Sequence, residues 1–314
     1  MFAPPPVIAT QVFTSMPDAF RKKGVRSAWT DANKHGQTVH SFLEGPTFDR
    51  QGNLYVTDIP FGRIFRITPA GQWELIIEYD GEPNGLAMHA DGRLFVADYR
   101  NGILQLDVAR GRVEPVVQRA RSEHFRGCND LTFDMQGNLY FTDQGQTGLH
   151  DATGRVYRLN ANGRLECLLS NVPSPNGLVL NREQSILYLA VTRANAVWRV
   201  PLMLDGGVSK VGVFLQLSGS LGGPDGLAMD VDDNLVVAHS GLTVWQFSRL
   251  GEPIARIEPS TGPFATNVAF GVDQPNRLFI TESSSGSVLC ADLPQAGRSL
   301  YSHSGPQAVS KEAS

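Results

Sequence analysis

The sequence predicts an all-β chain folded as a six-bladed β-propeller with four strands per blade. Three observations carry this. The first is a repeat: short apolar strands follow Gly52, Gly92, Gly137, Gln184, Asp233 and Asn276, landmarks 40, 45, 47, 49 and 43 residues apart. A period in the forties built only of short strands marks a propeller. The second is the strands themselves. Leu54-Tyr55-Val56, Leu94-Phe95-Val96, Leu139-Tyr140-Phe141, Leu187-Tyr188-Leu189 and Leu278-Phe279-Ile280 are apolar without strict alternation. That suits blades covered on both faces by neighbours. The third is a polar residue ahead of each landmark. Glu44, Asn84, Asn129, Asn176 and Asp225 stand eight residues before theirs, and Asn267 fits with one residue inserted.

Taken in order, Pro4-Pro5-Pro6 cannot donate to a ladder, and Val7 to Phe13 is β-branched and apolar enough for a strand. Residues 14–41 fit no repeat. Ser15, Pro17 and Asp18 predict a short helix through Phe20 to Lys23, and the remainder, with Trp29, His35 and His40, reads as a loop. It is either a lid over the active face or an insertion packed on the rim. Six blades follow over 42–295. Gly-Asn, Asp-Gly and Gln-Gly pairs supply the turn between first and second strands. Third strands are expected at Arg63–Ile67, Gly102–Leu106, Arg155–Leu159, Ala196–Val200, Thr243–Phe247 and Ser287–Cys290. Fourth strands follow in five blades, the last at Ile254–Ile257. The sixth blade lacks its own, and residues 1–13 are expected to supply it, closing the ring and removing an open edge. The whole of 1–314 then forms one domain with a frayed tail at 302–314.

Composition narrows function. Of 314 residues, 41% are hydrophobic and 18% charged, enough for a sizeable core. Net charge is −4, so no basic excess points to nucleic acid or an anionic membrane. No run of about 20 apolar residues spans a bilayer, and Met1 to Val12 lacks a signal-peptide pattern. Cys128, Cys167 and Cys290 lack metal spacing and read as reduced thiols of a cytoplasmic protein. A monomer or small homo-oligomer is expected.

First strands of a propeller line its central channel, so one fixed position per blade makes a ring: Glu44, Asn84, Asn129, Asn176, Asp225, Asn267. Two unpaired anions ~5 Å apart repel by roughly 3 kcal/mol at a dielectric of ~20. Either one is protonated or a cation sits between them. Oxygen ligands with two charges suit one divalent ion: Ca²⁺, Mg²⁺, Mn²⁺, Zn²⁺ or Fe²⁺. Turn statistics explain Asn and Asp in Pro-Asn-Gly and Pro-Asp-Gly. They do not explain Glu44.

Phe42-Leu43-Glu44-Gly45-Pro46, Cys128-Asn129-Asp130-Leu131, Pro175-Asn176-Gly177-Leu178 and Gly223-Pro224-Asp225-Gly226-Leu227 resemble the gluconolactonase/regucalcin (senescence marker protein) family of six-bladed propellers. Phe141-Thr142-Asp143-Gln144-Gly145 resembles its gluconolactonase branch. The resemblance implies one divalent metal held by Glu44, Asn176 and Asp225, with Asn129 beside it on water or substrate. Regucalcins carry a sugar-binding Arg two residues before that Asn. Here the position is Gly127, with Arg126 one residue further back, so aldonolactone specificity does not carry over intact. The expected activity is hydrolysis of a lactone. The cation polarises the carbonyl, Asp225 ligates it and acts as base, and Asn129 orients water. Asn84, Asn129, Asn267, Arg126 and Tyr99 are the expected substrate-binding set. Arg100, His124, Gln144, His150 and His239 also follow strand ends. Asp58, Asp98 and Asp143, closing second strands, are expected to bond backbone N–H groups. Two rivals share the scaffold: a metal-dependent esterase or organophosphate hydrolase, and a non-catalytic binding propeller.

Overall fold

A computed structural model describes residues 4–304. Small apolar sheets cannot bury both faces alone, and here six of them, five with four strands and one with five, stack around an axis as a six-bladed β-propeller. Blade 1 comprises Leu43–Phe48, Leu54–Asp58, Arg63–Ile67 and Trp73–Glu78, each pairing with the next. Innermost strands of blades 2 to 6 are Pro83–Met88, Cys128–Phe133, Pro175–Leu180, Gly223–Met229 and Ala265–Phe270. Each packs beside the next, and the sixth beside the first.

The core is divided accordingly. Six hydrophobic clusters lie between adjacent blades, and none fills a common centre. Phe48 of blade 1 meets Phe279 of blade 6 edge to face at 5.0 Å, and Phe95 of blade 2 meets Phe133 of blade 3 at 5.2 Å. Second strands are buried throughout, whereas the outermost strand of blade 1 is only half-buried. The Gly-Asn turns work through an aspartate ahead of them. Asp49 Oδ1 accepts from the Gln51 and Asn53 N–H groups, and Gly52 between them has φ 77.

The amino-terminal segment closes the ring, but as two strands. Gln11–Ser15 pairs antiparallel with Ser287–Asp292 as the outer strand of blade 6. Val7–Ala9, expected in that same strand, instead pairs parallel with Pro253–Glu258 and gives blade 5 a fifth strand. The chain changes blade at Thr10, whose hydroxyl donates to Glu258 O and accepts from Ser260 N–H.

Two further expectations are corrected. The helix predicted through Lys23 is one turn of 3₁₀ helix, Asp18–Phe20. An α-helix stands instead at Ala28–Asn33, capped by Ser27 and Thr30. Of the tail, residues 302–304 are docked: Ser302 is buried, and Arg50 Nε donates to its carbonyl. Residues 305–314 lie outside the described residues. Cys128, Cys167 and Cys290 are free thiols. Among the described residues no helix is long and apolar enough to cross a membrane.

Candidate active site at one mouth of the channel

Each blade's first strand slips register against its second where the channel is lined. The slips lie between Glu44 and Thr47, Pro83 and Leu86, Cys128 and Leu131, Pro175 and Leu178, Pro224 and Leu227, and Ala265 and Asn267. A bulge re-aims the side chains beside it, here toward the axis. Threonines hold neighbouring bulges together. Thr57 Oγ1 donates to Asn84 O, Thr192 Oγ1 to Pro224 O, and Thr266 Oγ1 to Leu43 O, all within 2.8 Å.

The register defines two layers. Leu43, Pro83, Cys128, Pro175, Pro224 and Ala265 occupy equivalent places opposite the ends of their second strands. One residue further along come Glu44, Asn84, Asn129, Asn176, Asp225 and Thr266. The sixth member is therefore Thr266, and Asn267 belongs to the next layer. The turn of blade 6 spans 271–277, against 49–53 in blade 1, and that extra length displaced the spacing. The second layer reads Gly45, Gly85, Asp130, Gly177, Gly226 and Asn267. Its glycines make room. A Cβ on Gly226 would lie 1.9 Å from Asn267 Oδ1, and one on Gly85 2.4 Å from Asp130 Oδ1. Asn267 Nδ2 reaches both Glu44 Oε2 (3.0 Å) and Asp130 Oδ2 (3.3 Å).

Above the first layer opens a cavity of ≈ 260 Å³. Glu44, Asn84, Asn129, Asn176, Asp225 and Tyr99 all line it, as does Gln144. Asn267 and Arg126 do not. The Arg126 guanidinium turns to Thr153 and Asp151 at the rim. A side chain at Gly127 would strike the Tyr99 ring, which a Cβ would approach to 2.5 Å. Tyr99 thus fills space that a larger residue at 127 would need. Of the remaining strand-end residues, Arg100 pairs with Asp80, and His239 is buried with Nε2 on Asn195 Oδ1 at 2.9 Å. Burial takes the His239 pKa down to about 4. His124 and His150 are exposed and line none of this cavity. Asp58, Asp98 and Asp143 accept backbone N–H groups of Phe42, Glu82 and Gly127, and Asp58 and Asp143 also pair with Arg63 and Arg155.

Residues of the inserted segment cover the cavity, and the sequence alone singles out neither Asn33 nor Lys34 among them. Trp29, Asn33 and Lys34, from the inserted segment, face Arg193, Phe42 and Phe264. Asn33 Oδ1 accepts from Gln146 Nε2, which also reaches Tyr99 Oη. The one available signal was Ser27-x-x-Thr30, a capping pattern too short for helical periodicity.

The floor is electrostatically unbalanced. Burial, then the charges of Asp225 and Asp130, drives the Glu44 pKa well above the usual carboxylate range, against the Gly45 N–H and the Asn267 amide. Burial, then Asp130, raises Asp225, against Asn176, Arg193 and Lys34. Burial lifts Asp130 to about 6. Both Glu44 bonds fall on Oε2, from Gly45 N–H at 2.7 Å and from Asn267, so Oε1 receives none from the described residues. Asn129 Nδ2 donates to Gln144 Oε1 at 3.0 Å, which leaves its Oδ1 for the cavity. Two mutually repelling carboxylates beside amide oxygens fit a hard divalent cation. Among the described residues no group of three or more His, Cys, Asp or Glu gathers as an ionisable metal cluster, so amide oxygens must complete any such set.

Comparison with known proteins gives a consistent picture. Residues 42–284 match the family model described as SMP-30/Gluconolactonase/LRE-like region. Lactonase drp35 of Staphylococcus saprophyticus is 31% identical over 242 residues, covering 73% of this chain and 72% of that protein. Lactonase drp35 of Staphylococcus aureus strain MRSA252 is 29% identical over 246 residues with the same coverage. Among solved structures, a calcium-binding regucalcin of Agrobacterium tumefaciens superposes with TM-score 0.75 at 22% identity, covering 95% of this chain and 98% of that one. A gluconolactonase of Xanthomonas campestris gives 0.72 at 23%, covering 94% and 99%.

Proposed function

The chain belongs to the SMP-30/gluconolactonase/LRE-like family, and from that premise we propose that it is a metal-dependent lactonase. The carrying observation is the carboxylate pair of buried Glu44 and half-buried Asp225, each with a raised pKa, beside the amides Asn84, Asn129 and Asn176 at the floor of one cavity. Glu44, Asn176 and Asp225 would hold one divalent cation. Such a cation supplies Lewis-acid polarisation of the ester carbonyl and a charge to offset the oxyanion of the tetrahedral intermediate.

The chain's own residues supply the rest. Glu44 is fixed by the Gly45 N–H and Asn267, which suits a ligand that does not move. Asp225, whose hydrogen-bonding neighbour is the Asn176 amide, takes the proton from the attacking water. Water's oxygen bonds to the acyl carbon, the ring C–O bond breaks, and the proton on Asp225 passes to the leaving alkoxide. Asn129, oriented by Gln144, and Asn84 orient water and substrate. Tyr99 and the roof residues exclude bulk water.

The test is ring-opening of a lactone panel by metal-stripped protein, then with Ca²⁺, Zn²⁺, Mn²⁺, Mg²⁺ or Fe²⁺ returned. Activity restored by at least one cation supports the reading. Hydrolysis of no lactone with any cation would defeat it.

A further inference from the structure

The cavity carries two cations that the hydrolytic step does not use, Lys34 in its roof and Arg193 facing that roof from blade 4. Lys34 is half-buried, with its Nζ 4.6 Å from the Phe42 ring centroid, 5.8 Å from Phe264 and 5.9 Å from Trp29. Arg193 follows the second strand of blade 4, and its only hydrogen bond among the described residues is a long one, 3.5 Å, to Gly222 O. Neither makes an ion pair with a described residue, although Arg63, Arg155 and Arg158 elsewhere all do. Both line the same cavity as Glu44 and Asp225.

Holding an ammonium among three rings orders a flexible side chain, and it orders it facing the cavity. A divalent ion held by Glu44 and Asp225 would offset both of those charges. Lys34 and Arg193 would then face a floor that no longer needs them. A small cavity with an electrophilic floor and two cations without an ion-pair partner in its lining fits a substrate with an ester at one end and an anion at the other.

We propose that the lactone opened here carries a carboxylate, bound by Lys34 and Arg193. The inference rests on the lactonase reading and names the substrate class within it. Lys34 and Arg193 are specificity residues: they touch the substituent and not the reacting bond. The inserted segment is then the part of the chain that selects substrate, because it delivers Lys34 while the blades deliver the floor.

The test compares two lactones of one ring size, 5-oxotetrahydrofuran-2-carboxylate and γ-valerolactone, in which a methyl replaces the carboxylate. Wild type is compared with Lys34→Met, Arg193→Met and the double variant. Met keeps an unbranched apolar stem against Trp29 and Phe42, and thermal melting checks the fold. Wild type should favour the carboxylate by about tenfold or more in kcat/KM, since charge-assisted hydrogen bonds are the stronger kind. The double variant should lose most of that preference, chiefly through KM. In parallel, calorimetry in Ca²⁺ buffer follows binding of the ring-opened product, 2-hydroxyglutarate. Its affinity should fall about tenfold per cation removed. The proposal is overturned if wild type shows no preference. It is equally overturned if the double variant slows both lactones alike, as expected if the cations only balance Asp225. If wild type opens neither lactone with any cation, the lactonase reading fails and calorimetry alone decides. Product binding lost in the variants keeps the anion site, and binding absent or unchanged removes it.

Discussion

Two consecutive layers of the channel differ by one residue of sequence and by everything in chemistry. The upper layer is Glu44, Asn84, Asn129, Asn176, Asp225 and Thr266, and its first five members face an open cavity. The lower is four glycines with Asp130 and Asn267, packed so tightly that a Cβ on Gly226 would overlap Asn267. In the function proposed above, the upper layer would present oxygen ligands and a base. The lower one closes the channel beneath them and clamps Glu44 through Asn267. A site of this kind needs both: side chains that reach inward, and beneath them backbone without side chains so that the strands can approach.

The largest effect should come from the upper layer. Glu44→Gln and Asp225→Asn should each lower lactone turnover by on the order of 10²–10⁴-fold, the usual contribution of a catalytic acid–base group or metal ligand. Neither should destabilise the metal-free protein at pH 8, because each removes a charge that its neighbours repel. Steady-state kinetics and thermal melting measure the two halves.

The lower layer should answer through stability. Gly226→Ala forces a methyl group against Asn267 and should cost about 1–3 kcal/mol. Gly212→Ala is its control: a Cβ there meets nothing within 4 Å, and the change should stay within about 0.5 kcal/mol. Urea unfolding of both variants gives the comparison. Equal losses would contradict the tight lower layer.

A smaller effect should appear with pH. Asp130 has a pKa of about 6 in the fold, against about 3.9 unfolded. A raised carboxyl contributes stability that is complete below the unfolded value and is lost as pH rises through the folded one. The metal-free protein should therefore lose melting temperature between about pH 4 and 6, with Glu44 and Asp225 adding losses of the same sign. Asp130→Asn should flatten the lower part of that slope. Arg126→Ala, at the rim and off the cavity, should change lactone turnover least, by less than about threefold.

Much of this was legible in the sequence because it repeats. Strand period, blade number and the placement of Glu44, Asn84, Asn129, Asn176 and Asp225 at one cavity follow from spacing that five blades share. The failures lie where repetition stops. Asn267 matches the ring pattern as an amide at nearly the right distance, while the longer turn of blade 6 puts Thr266 there. The chain's switch between blades at Thr10 depends on a long-range bond to Glu258, and no local pattern announces it. Lys34 enters the cavity only because a six-residue helix crosses the mouth and ties to Gln146 on blade 3. Such contacts belong to tertiary structure alone.

In the proposed function, Glu44, Asn176 and Asp225 form one site for one divalent cation. The most direct measurement is a calorimetric titration of Ca²⁺ or Mn²⁺ into metal-stripped protein, repeated with Glu44→Gln, Asn176→Ala and Asp225→Asn. One equivalent bound by wild type, weakened in all three variants, is the predicted result. No saturable binding by wild type, or binding indifferent to all three substitutions, would contradict it.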